Sequence, residues 1–262
     1  MPYADVNGQR IYFEDSGGTG APVILGHGFL MDHEMFAPQV AALAPEFRVI
    51  TWDERAFGLT EWDGKPFTYW DSAADCLGLL AHLGIKRAVV GGMSQGGFLS
   101  LRAALAAPAV VRALVLLDTA ADVDSPEAAA GNRGMLDAWA AAGPVDELAQ
   151  AVAALIINDP AENERWIAKW RARPKELIVE AGRCLEGRDD ISPRLGEITC
   201  PALVIHGTAD TALTMDRAEK MAEKLKGCDG VVRIAGAAHA ANLTHAELVN
   251  PPLLAFLRGL PA

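Results

Sequence analysis

The 262-residue sequence lacks a surplus of positive charge. Its 34 acidic side chains outnumber 23 basic ones, and the formal net charge is −11 at pH 7. Nucleic acids and anionic membrane surfaces attract positively charged protein surface, so we expect no nucleic-acid partner. The sequence also lacks an apolar run of about 18 residues, the length that a bilayer-spanning helix needs. We therefore expect no membrane partner either.

Cysteines are few and their spacing carries no metal-binding or redox signature. The sequence has no C-x-x-C pair and no short metal-ligand spacing, so buried free thiols are favoured over disulfides. The four cysteines are Cys76, Cys184, Cys200 and Cys228. The amino-terminal residues also lack the basic and apolar regions of a secretory signal. A cytoplasmic protein is the simplest expectation.

The sequence does contain a series of short runs rich in Val, Ile and Leu, in which apolar and polar residues do not alternate. Strands that are buried on both faces of a parallel sheet have this composition. A hairpin that turns at Asn7-Gly8 is predicted to precede them. The six runs are PVILGHG, FRVITWD, RAVVGGMS, VRALVLLDT, PALVIHGTAD and VVRIAGAAH.

Helical patterns lie between most of these runs. They cover residues 33–44, 67–83, 96–107 and 214–226, and a further segment, 251–259, opens with two prolines and closes the chain. This alternation predicts an α/β fold with a mostly parallel central sheet flanked by helices.

One interval breaks the alternation. Between about Asp122 and Thr199 no buried strand is predicted. The sequence there has a helical pattern that Gly and Pro residues divide into several segments. Roughly 75 residues are too many for a structureless loop inside a compact domain. We expect a core made of residues 1–121 and 200–262, with a helical cap, or lid, of residues 122–199 inserted after the sixth strand.

The stretch GGMSQGG, residues 91–97, places Ser94 in the pattern G-x-S-x-G between a predicted strand and a predicted helix. In a nucleophile elbow, glycines leave room around a serine that is held on a sharp, strained turn. By itself the pattern is weak evidence, since this composition produces it roughly one time in twenty. A phosphate-binding loop is disfavoured because G-x-x-x-x-G-K-[ST] is absent.

A nucleophilic serine needs a base and a group that orients the base. In α/β folds with a nucleophile elbow, the three residues follow one another along the chain in the order Ser, then Asp or Glu, then His. His239 follows the last predicted strand and is favoured as the base over His245, which lies in or at the start of a helix. Asp210, in a loop of small residues after a strand, is favoured as the acid over Asp118, one strand earlier.

An oxyanion hole requires two N–H donors near the nucleophile. We expect one from the backbone of Gln95, directly after the serine, and one from Phe29 in the early loop LGHGFLMDHEMF. In the same loop, His27 is predicted to brace the turn, and His206 is predicted to be structural.

Four signatures in order, HGF, WDERAFGLT, GMSQGG and the pair HGTAD…GAAHAANL, resemble the α/β-hydrolase superfamily over nearly the whole chain. The sequence is similar to capped bacterial serine esterases, cofactor-free haloperoxidases (perhydrolases) and 3-oxoadipate enol-lactonases. It departs from the D-x-R-G-x-G-x-S loop of the superfamily at Ala56 and Thr60. The resemblance implies that Ser94 attacks an acyl carbon while His239 acts as base and then acid. It implies no cofactor and no metal.

The resemblance further implies that Asp210 orients the histidine and that Phe29 and Gln95 hold the oxyanion. The expected activity is hydrolysis of a small-molecule ester or lactone through an acyl-enzyme. Leu30 stands where perhydrolases often have proline, which favours ordinary hydrolysis. A carbon–carbon bond hydrolase of a ring-cleavage dienoate and a non-catalytic ligand receptor remain alternatives. A homo-oligomer is left open.

Residues of the predicted cap are candidates for the substrate pocket. Leu30, Trp139 and Trp166 are the candidate lining residues, although packing of the cap onto the core is the favoured role of the tryptophans. Trp166 and Trp170 are four residues apart and share one helix face. A substrate carboxylate could bind a cap arginine, although most are expected to be solvated. These arginines are Arg133, Arg165, Arg171, Arg173 and Arg183.

Overall fold

The computed structural model describes residues 2–261 and places eight strands in one sheet. In chain order the strands are Tyr3–Val6 (β1), Gln9–Asp15 (β2), Pro22–Gly26 (β3), Arg48–Trp52 (β4), Ala88–Met93 (β5), Val111–Leu117 (β6), Ala202–Gly207 (β7) and Cys228–Ile234 (β8). Their spatial order is β1-β2-β4-β3-β5-β6-β7-β8, and β3 to β8 pair in parallel. The predicted mostly parallel α/β sheet is confirmed.

Helices connect most of the parallel strands. The α-helices are Ala37–Leu43 (α1), Tyr69–His82 (α2), Gln95–Ala106 (α3), Pro126–Ala142 (α4), Asp146–Ile156 (α5), Pro160–Arg171 (α6), Ile178–Glu186 (α7), Met215–Lys224 (α8), Ala241–Thr244 (α9) and Ala246–Gly259 (α10). Short 3₁₀ helices cover His33–Phe36, Lys175–Leu177 and Ser192–Glu197. Within residues 2–261, no helix combines the length and the hydropathy that crossing a membrane requires.

The amino-terminal hairpin forms where the sequence predicts it. β1 and β2 are antiparallel, and both turn residues have positive φ, 49° at Asn7 and 78° at Gly8. A two-residue turn with positive φ at both positions matches the natural twist of a hairpin. β2 also pairs antiparallel with β4, so the hairpin covers the β4 edge of the parallel sheet.

The two faces of the sheet bury alternate residues of the same strands. On β5, Val89 belongs to one apolar cluster and Val90 to the other, and both are 1% exposed or less. α2, α3 and α8 pack on one side, while α1 and α10 contact each other and lie on the opposite side. Burial on both faces is why the strands read as continuous apolar runs.

Four helices, α4 to α7, lie between β6 and β7 and are called the helical insertion below. Sequence breakers set their ends: Ser125 caps α4 by accepting from the Ala128 N–H at 3.2 Å, and Gly143 ends it with φ 76°. The Ile191 N–H donates to the Ala121 carbonyl at 3.2 Å. The chain therefore leaves the sheet and returns to it at adjacent points.

The last helix begins earlier than the sequence predicts. α10 starts at Ala246, so Pro251 and Pro252 lie inside it rather than at its start. Proline removes an interior hydrogen bond and disfavours helix. Here Val249, Leu253 and Leu257 recur at intervals of four and are buried on one face, and this packing outweighs the loss.

Candidate active site

Ser94 occupies the turn between β5 and α3 with φ 53° and ψ −113°. A non-glycine residue with positive φ costs free energy, and it persists only where its surroundings hold it. The Ser94 N–H donates to the Leu117 carbonyl at 2.9 Å, and its carbonyl accepts from Thr119 Oγ1 at 2.7 Å and from the Phe98 N–H at 3.1 Å. Strand β6 and helix α3 thus fix the strained serine.

Gly92 and Gly96, on either side of the serine, are required by the close approach of β3. A Cβ atom at either position would overlap the backbone carbonyl oxygen of Gly26. The glycines of G-x-S-x-G therefore let a neighbouring strand pack directly against the turn.

His239 and Asp210 form a hydrogen-bonded pair: His239 Nδ1 lies 2.7 Å from Asp210 Oδ2. The other carboxylate oxygen accepts from the N–H groups of Ala212 at 2.8 Å and Leu213 at 3.0 Å. Burial by itself would raise the pKa of Asp210. The charge of His239 and hydrogen bonds from His206, His239 and the Leu213 N–H outweigh burial, so the pKa lies well below its ordinary value. Asp210 is thus held as a carboxylate.

His206 is a second neighbour of this carboxylate. Its Nε2 lies 3.2 Å from Asp210 Oδ2 and 2.7 Å from the Leu213 carbonyl oxygen. Burial lowers the pKa of His206, but the hydrogen bond to Asp210 and the charges of Asp118 and Asp210 leave it raised overall. His206, which the sequence predicts to be structural, therefore contacts the Asp210 carboxylate directly.

Asp118, the alternative acid in the sequence, binds backbone rather than His239. Its oxygens accept from the N–H of Gly207 at 2.7 Å and from the N–H of Ala241 at 3.2 Å. It thereby joins the end of β7 to the loop that carries His239. Burial, with the charge of Asp210, raises the pKa of Asp118 to about 7, against the opposing charges of His206 and His239.

Ser94 and His239 line the same cavity, which has a volume of about 370 Å³. This volume lies within the range of small-molecule sites. Apolar side chains from the core and from the helical insertion form most of its wall, among them Phe29, Leu30, Met93, Phe98, Met135, Val152, Leu155, Ile156, Leu185 and Leu213. A polar corner contains Asp124, Asn132 and Arg188, none of which the sequence singled out.

The two predicted oxyanion residues come from different parts of the chain, Gln95 from the start of α3 and Phe29 from the loop after β3. Gln95 is the first residue of α3, so its N–H belongs to the helix end that has no intrahelical acceptors and carries partial positive charge. Phe29 lines the cavity and precedes Leu30, which has φ 64°. The Met31 N–H donates to the Gly28 carbonyl at 3.0 Å and closes this turn.

Of the three candidate pocket residues, the structure brings only Leu30 to this cavity. Trp139 contacts Trp170 edge to face, with ring centroids 5.6 Å apart, and both line a separate small cleft. Trp166 is 1% exposed, and its Nε1 donates to Glu162 at 3.1 Å within the same helix. Trp139 and Trp166 therefore do not line this cavity, and their contacts lie within the insertion, in keeping with the packing role that the sequence favoured.

The five arginines named from the sequence lie outside the cavity as well. Four pair with carboxylates: Arg133 with Glu186, Arg165 with Glu34, Arg171 with Asp146 and Arg183 with Glu180. Arg173 donates to the Ala56 carbonyl at 2.9 Å. Arg188, a little further along the chain, is the arginine that reaches the cavity wall.

The loop after β4 contains the two departures from the superfamily pattern, Ala56 and Thr60. Ala56 has φ 67°, a conformation that suits glycine better. Thr60 Oγ1 donates to the Asp53 carbonyl at 2.6 Å and accepts from the Tyr12 N–H at 2.9 Å. The threonine thus supplies a hydroxyl group at the position where the superfamily pattern has serine. His27 braces this region, since its Nε2 accepts from the Glu54 N–H at 3.0 Å.

Among residues 2–261, two buried clusters have donor atoms close enough to hold a metal ion. One contains Asp118, His206 and Asp210, and the other contains Asp32, His33 and Asp53. In the second, Asp53 Oδ1 accepts from both the backbone N–H and Nδ1 of His33, at 2.7 and 2.8 Å. Protein donors thus engage the carboxylates of both clusters, and we assign neither cluster to a metal.

A mostly parallel eight-stranded sheet with a serine on a strained turn after a central strand defines an α/β fold of the hydrolase class. A family model described as alpha/beta hydrolase fold matches residues 21–246, and the chain belongs to this family.

Known proteins resemble the chain over nearly its whole length. A protein of Synechocystis sp. named as a non-heme chloroperoxidase is 30% identical, across 98% of this chain and 100% of the relative. A thermophilic esterase from Thermogutta terrifontis, with malate bound, has a TM-score of 0.90 at 30% identity, covering 99% of this chain and 98% of that one. The enol-lactonase from Burkholderia xenovorans LB400 has a TM-score of 0.89 at 29% identity, covering 98% and 100%. Hydrolases of small molecules are thus among the homologues.

Proposed function

We propose that the chain is a serine hydrolase that cleaves small carboxylic esters or lactones through Ser94, His239 and Asp210. The observation that carries this proposal is the 2.7 Å contact between His239 Nδ1 and Asp210 Oδ2, beside a cavity that Ser94 also lines. The esterase and enol-lactonase among the similar structures support the same class of substrate.

The mechanism follows from the protonation states. Asp210, whose pKa is lowered, accepts the Nδ1 proton of His239 and leaves Nε2 free to take the proton of Ser94. Ser94 Oγ then attacks the carbonyl carbon of the substrate. The carbonyl oxygen of the substrate becomes an anion, which the N–H groups of Phe29 and Gln95 stabilise. His239 returns the proton to the leaving alkoxide. Water, activated by the same histidine, releases the acid from the acyl-enzyme.

The helical insertion, within residues 122–199, is proposed to act as the cap that shapes the acyl pocket. It supplies much of the apolar wall, and α6 is tied to the core loop by the Trp170 Nε1–H, which donates to the Leu30 carbonyl at 2.7 Å. This hydrogen bond fixes the residue next to Phe29. The insertion thereby contributes to the position of the proposed oxyanion donor as well as to the pocket wall.

The test is turnover of p-nitrophenyl acetate by the wild type and by Ser94→Ala, with circular dichroism to confirm that the variant folds. We expect the variant to lose at least 10³-fold in kcat/KM, since the nucleophile is removed. Undiminished turnover by Ser94→Ala would overturn the proposal. Ser192→Ala, which changes a serine outside the cavity, is the matched control.

Two further measurements separate the alternatives. A fluorophosphonate should label the wild type and not Ser94→Ala, whereas a non-catalytic receptor would remain unlabelled. A ring-cleavage dienoate should keep its visible absorbance in the presence of the protein. Rapid decay of that absorbance, without ester turnover, would indicate a carbon–carbon hydrolase instead.

A further inference from the structure

His206 is a polar side chain in an otherwise apolar strand. It lies near the end of β7 and is 0% exposed. Its Nε2 is 2.7 Å from the Leu213 carbonyl oxygen and 3.2 Å from Asp210 Oδ2. Its Nδ1 is buried and has no hydrogen-bond partner among residues 2–261. The ring therefore engages the loop that follows the strand through one nitrogen.

The Leu213 carbonyl determines which ring nitrogen carries a proton. A carbonyl oxygen accepts hydrogen bonds and cannot donate them. The 2.7 Å contact therefore places a proton on Nε2 of His206, whether the imidazole is neutral or charged. The same N–H group lies 3.2 Å from Asp210 Oδ2. The contact between His206 and the acid is thus a donor beside an acceptor, and it is attractive in either protonation state.

The oxygen of Asp210 that contacts His206 is also the one that His239 uses. His239 Nδ1 lies 2.7 Å from Oδ2, while the other oxygen accepts from the N–H groups of Ala212 and Leu213. Burial would raise the pKa of Asp210, and after the charge of His239 the hydrogen bond from His206 is the next cause that lowers it. His206 therefore acts on the carboxylate at the point where the carboxylate meets the proposed base.

β7 gives this contact a rigid support. His206 pairs with Arg233 of β8, and the preceding residue, Ile205, pairs with Leu117 of β6. Strands on both sides thus fix the backbone from which the imidazole projects, and a side chain on such an element is held more accurately than one on a loop. His206 ties the side chain of Asp210 to the sheet.

We propose that His206 is a positioning residue of the hydrolase: by binding both Asp210 Oδ2 and the Leu213 carbonyl, it holds the acid in the place from which Asp210 orients His239. It acts through the acid and is not among the residues that line the cavity. This inference rests on the proposed hydrolase function.

Three substitutions of His206 separate its donor from its volume. The amide nitrogen of glutamine reaches about as far as Nε2, whereas that of asparagine reaches only about as far as Nδ1, which has no partner. His206→Gln should therefore stay within about threefold of the wild type in kcat/KM for p-nitrophenyl acetate. His206→Asn and His206→Leu should lose about 10- to 100-fold, mainly in kcat, as loss of a hydrogen bond to a charged group gives.

The second measurement repeats the three substitutions in an Asp210→Asn background, with enzyme in excess and rates expressed per folded protein from circular dichroism. If His206 acts through the acid, the losses in His206→Asn and His206→Leu should shrink to about twofold once the carboxylate is gone. A general loss of packing would lower the rate by the same factor in both backgrounds. His82→Leu, at an exposed histidine at the end of α2, is the matched control and should stay within about twofold of its parent in each.

Three results would overturn the inference. They are full activity in both His206→Asn and His206→Leu, rescue by asparagine as complete as rescue by glutamine, and equal losses in the two backgrounds. If His206→Leu does not fold, the comparison of the glutamine and asparagine variants decides, since both keep a polar amide. Turnover that does not depend on Ser94, or that Asp210→Asn leaves unchanged, would overturn the proposed function instead. The two failures are therefore distinguishable.

Discussion

The imidazole of His239 and the carboxylate of Asp210 meet at 2.7 Å although 29 positions separate them in the chain. β7 and β8 are adjacent and parallel, so the loops that follow them emerge at the same edge of the sheet. The sequence favoured Asp210 over Asp118 as the partner of His239, and the structure shows that contact.

Asp210→Asn should lower kcat/KM for p-nitrophenyl esters by about 10³- to 10⁴-fold with the fold retained. An amide can present its N–H₂ group to His239, which favours the tautomer whose Nε2 cannot take a proton from Ser94. Steady-state kinetics measure the loss. Asp216→Asn, at an exposed carboxylate on α8, is the control and should stay within twofold of the wild type. Comparable losses in both variants would contradict a specific role of Asp210.

Gly96→Ala should be severely destabilising, because the new Cβ would overlap the Gly26 carbonyl oxygen and force β3 away from the turn. We expect a loss of more than about 3 kcal/mol in the free energy of unfolding, or failure to fold. Gly134→Ala is the matched control. It lies inside α4 with open space around it, and alanine there should stabilise the chain by about 0.5 to 1 kcal/mol. Urea unfolding measures the free energy of unfolding of both variants. Changes of the same sign in the two variants would argue against the close packing of Gly96 on Gly26.

Trp170→Phe should reduce kcat/KM by about 3- to 30-fold, mainly through kcat. The substitution keeps an aromatic ring and removes the N–H that holds the Leu30 carbonyl beside the proposed oxyanion residue Phe29. Trp166→Phe removes an N–H that bonds only to Glu162 in its own helix, so its kinetics should remain close to those of the wild type. If the two variants behave alike, the link between insertion and oxyanion loop has no kinetic role.

Asp118 should make the stability of the wild type fall as the pH rises from about 4 to about 7. Its pKa in the folded protein is raised to about 7, mainly by burial, from the ordinary value of 3.8. In this window the folded state keeps a proton that the unfolded state has lost, and above pH 7 the dependence levels off. Each pKa unit corresponds to about 1.4 kcal/mol.

Asp118→Asn lacks this titration, so urea unfolding at pH 5 and pH 8 isolates the effect. The stability of the wild type relative to the variant should be lower at pH 8 than at pH 5. A relative stability that is constant, or higher at pH 8, would show that burial does not raise the pKa of Asp118.

Much of the fold was predictable because local sequence and global packing agree. Strands such as β5 are buried on both faces, so their composition is apolar throughout, and the turn residues Asn7 and Gly8 adopt the backbone that their types favour. Ser94, Asp210 and His239 could be proposed because each directly follows a predicted strand. The start of α10 was missed because packing outweighs the local effect of two prolines.

The polar corner of the cavity was not predictable. Arg188 lies in the charged stretch EGRDD, which is typical of solvated loop. Its burial depends on Asp124, 64 positions away, and on Phe98 from α3. The roles of Trp139 and Trp166 were ambiguous for a related reason. Helical periodicity predicts that a side chain is buried, but not whether it packs against another helix or lines a cavity.

The hydrogen bond between Ile191 and Ala121 makes residues 122–190 a closed detour from the sheet. Doubling the length of such a detour costs only about 0.6 kcal/mol in closure entropy, while the register of β6 on β7 is set by their own pairing. The insertion, and with it part of the cavity wall, can therefore be lengthened, shortened or replaced. Ser94, Asp210 and His239 would keep their positions after β5, β7 and β8. The proposed catalytic residues and much of the cavity wall thus lie on separable pieces of one polypeptide.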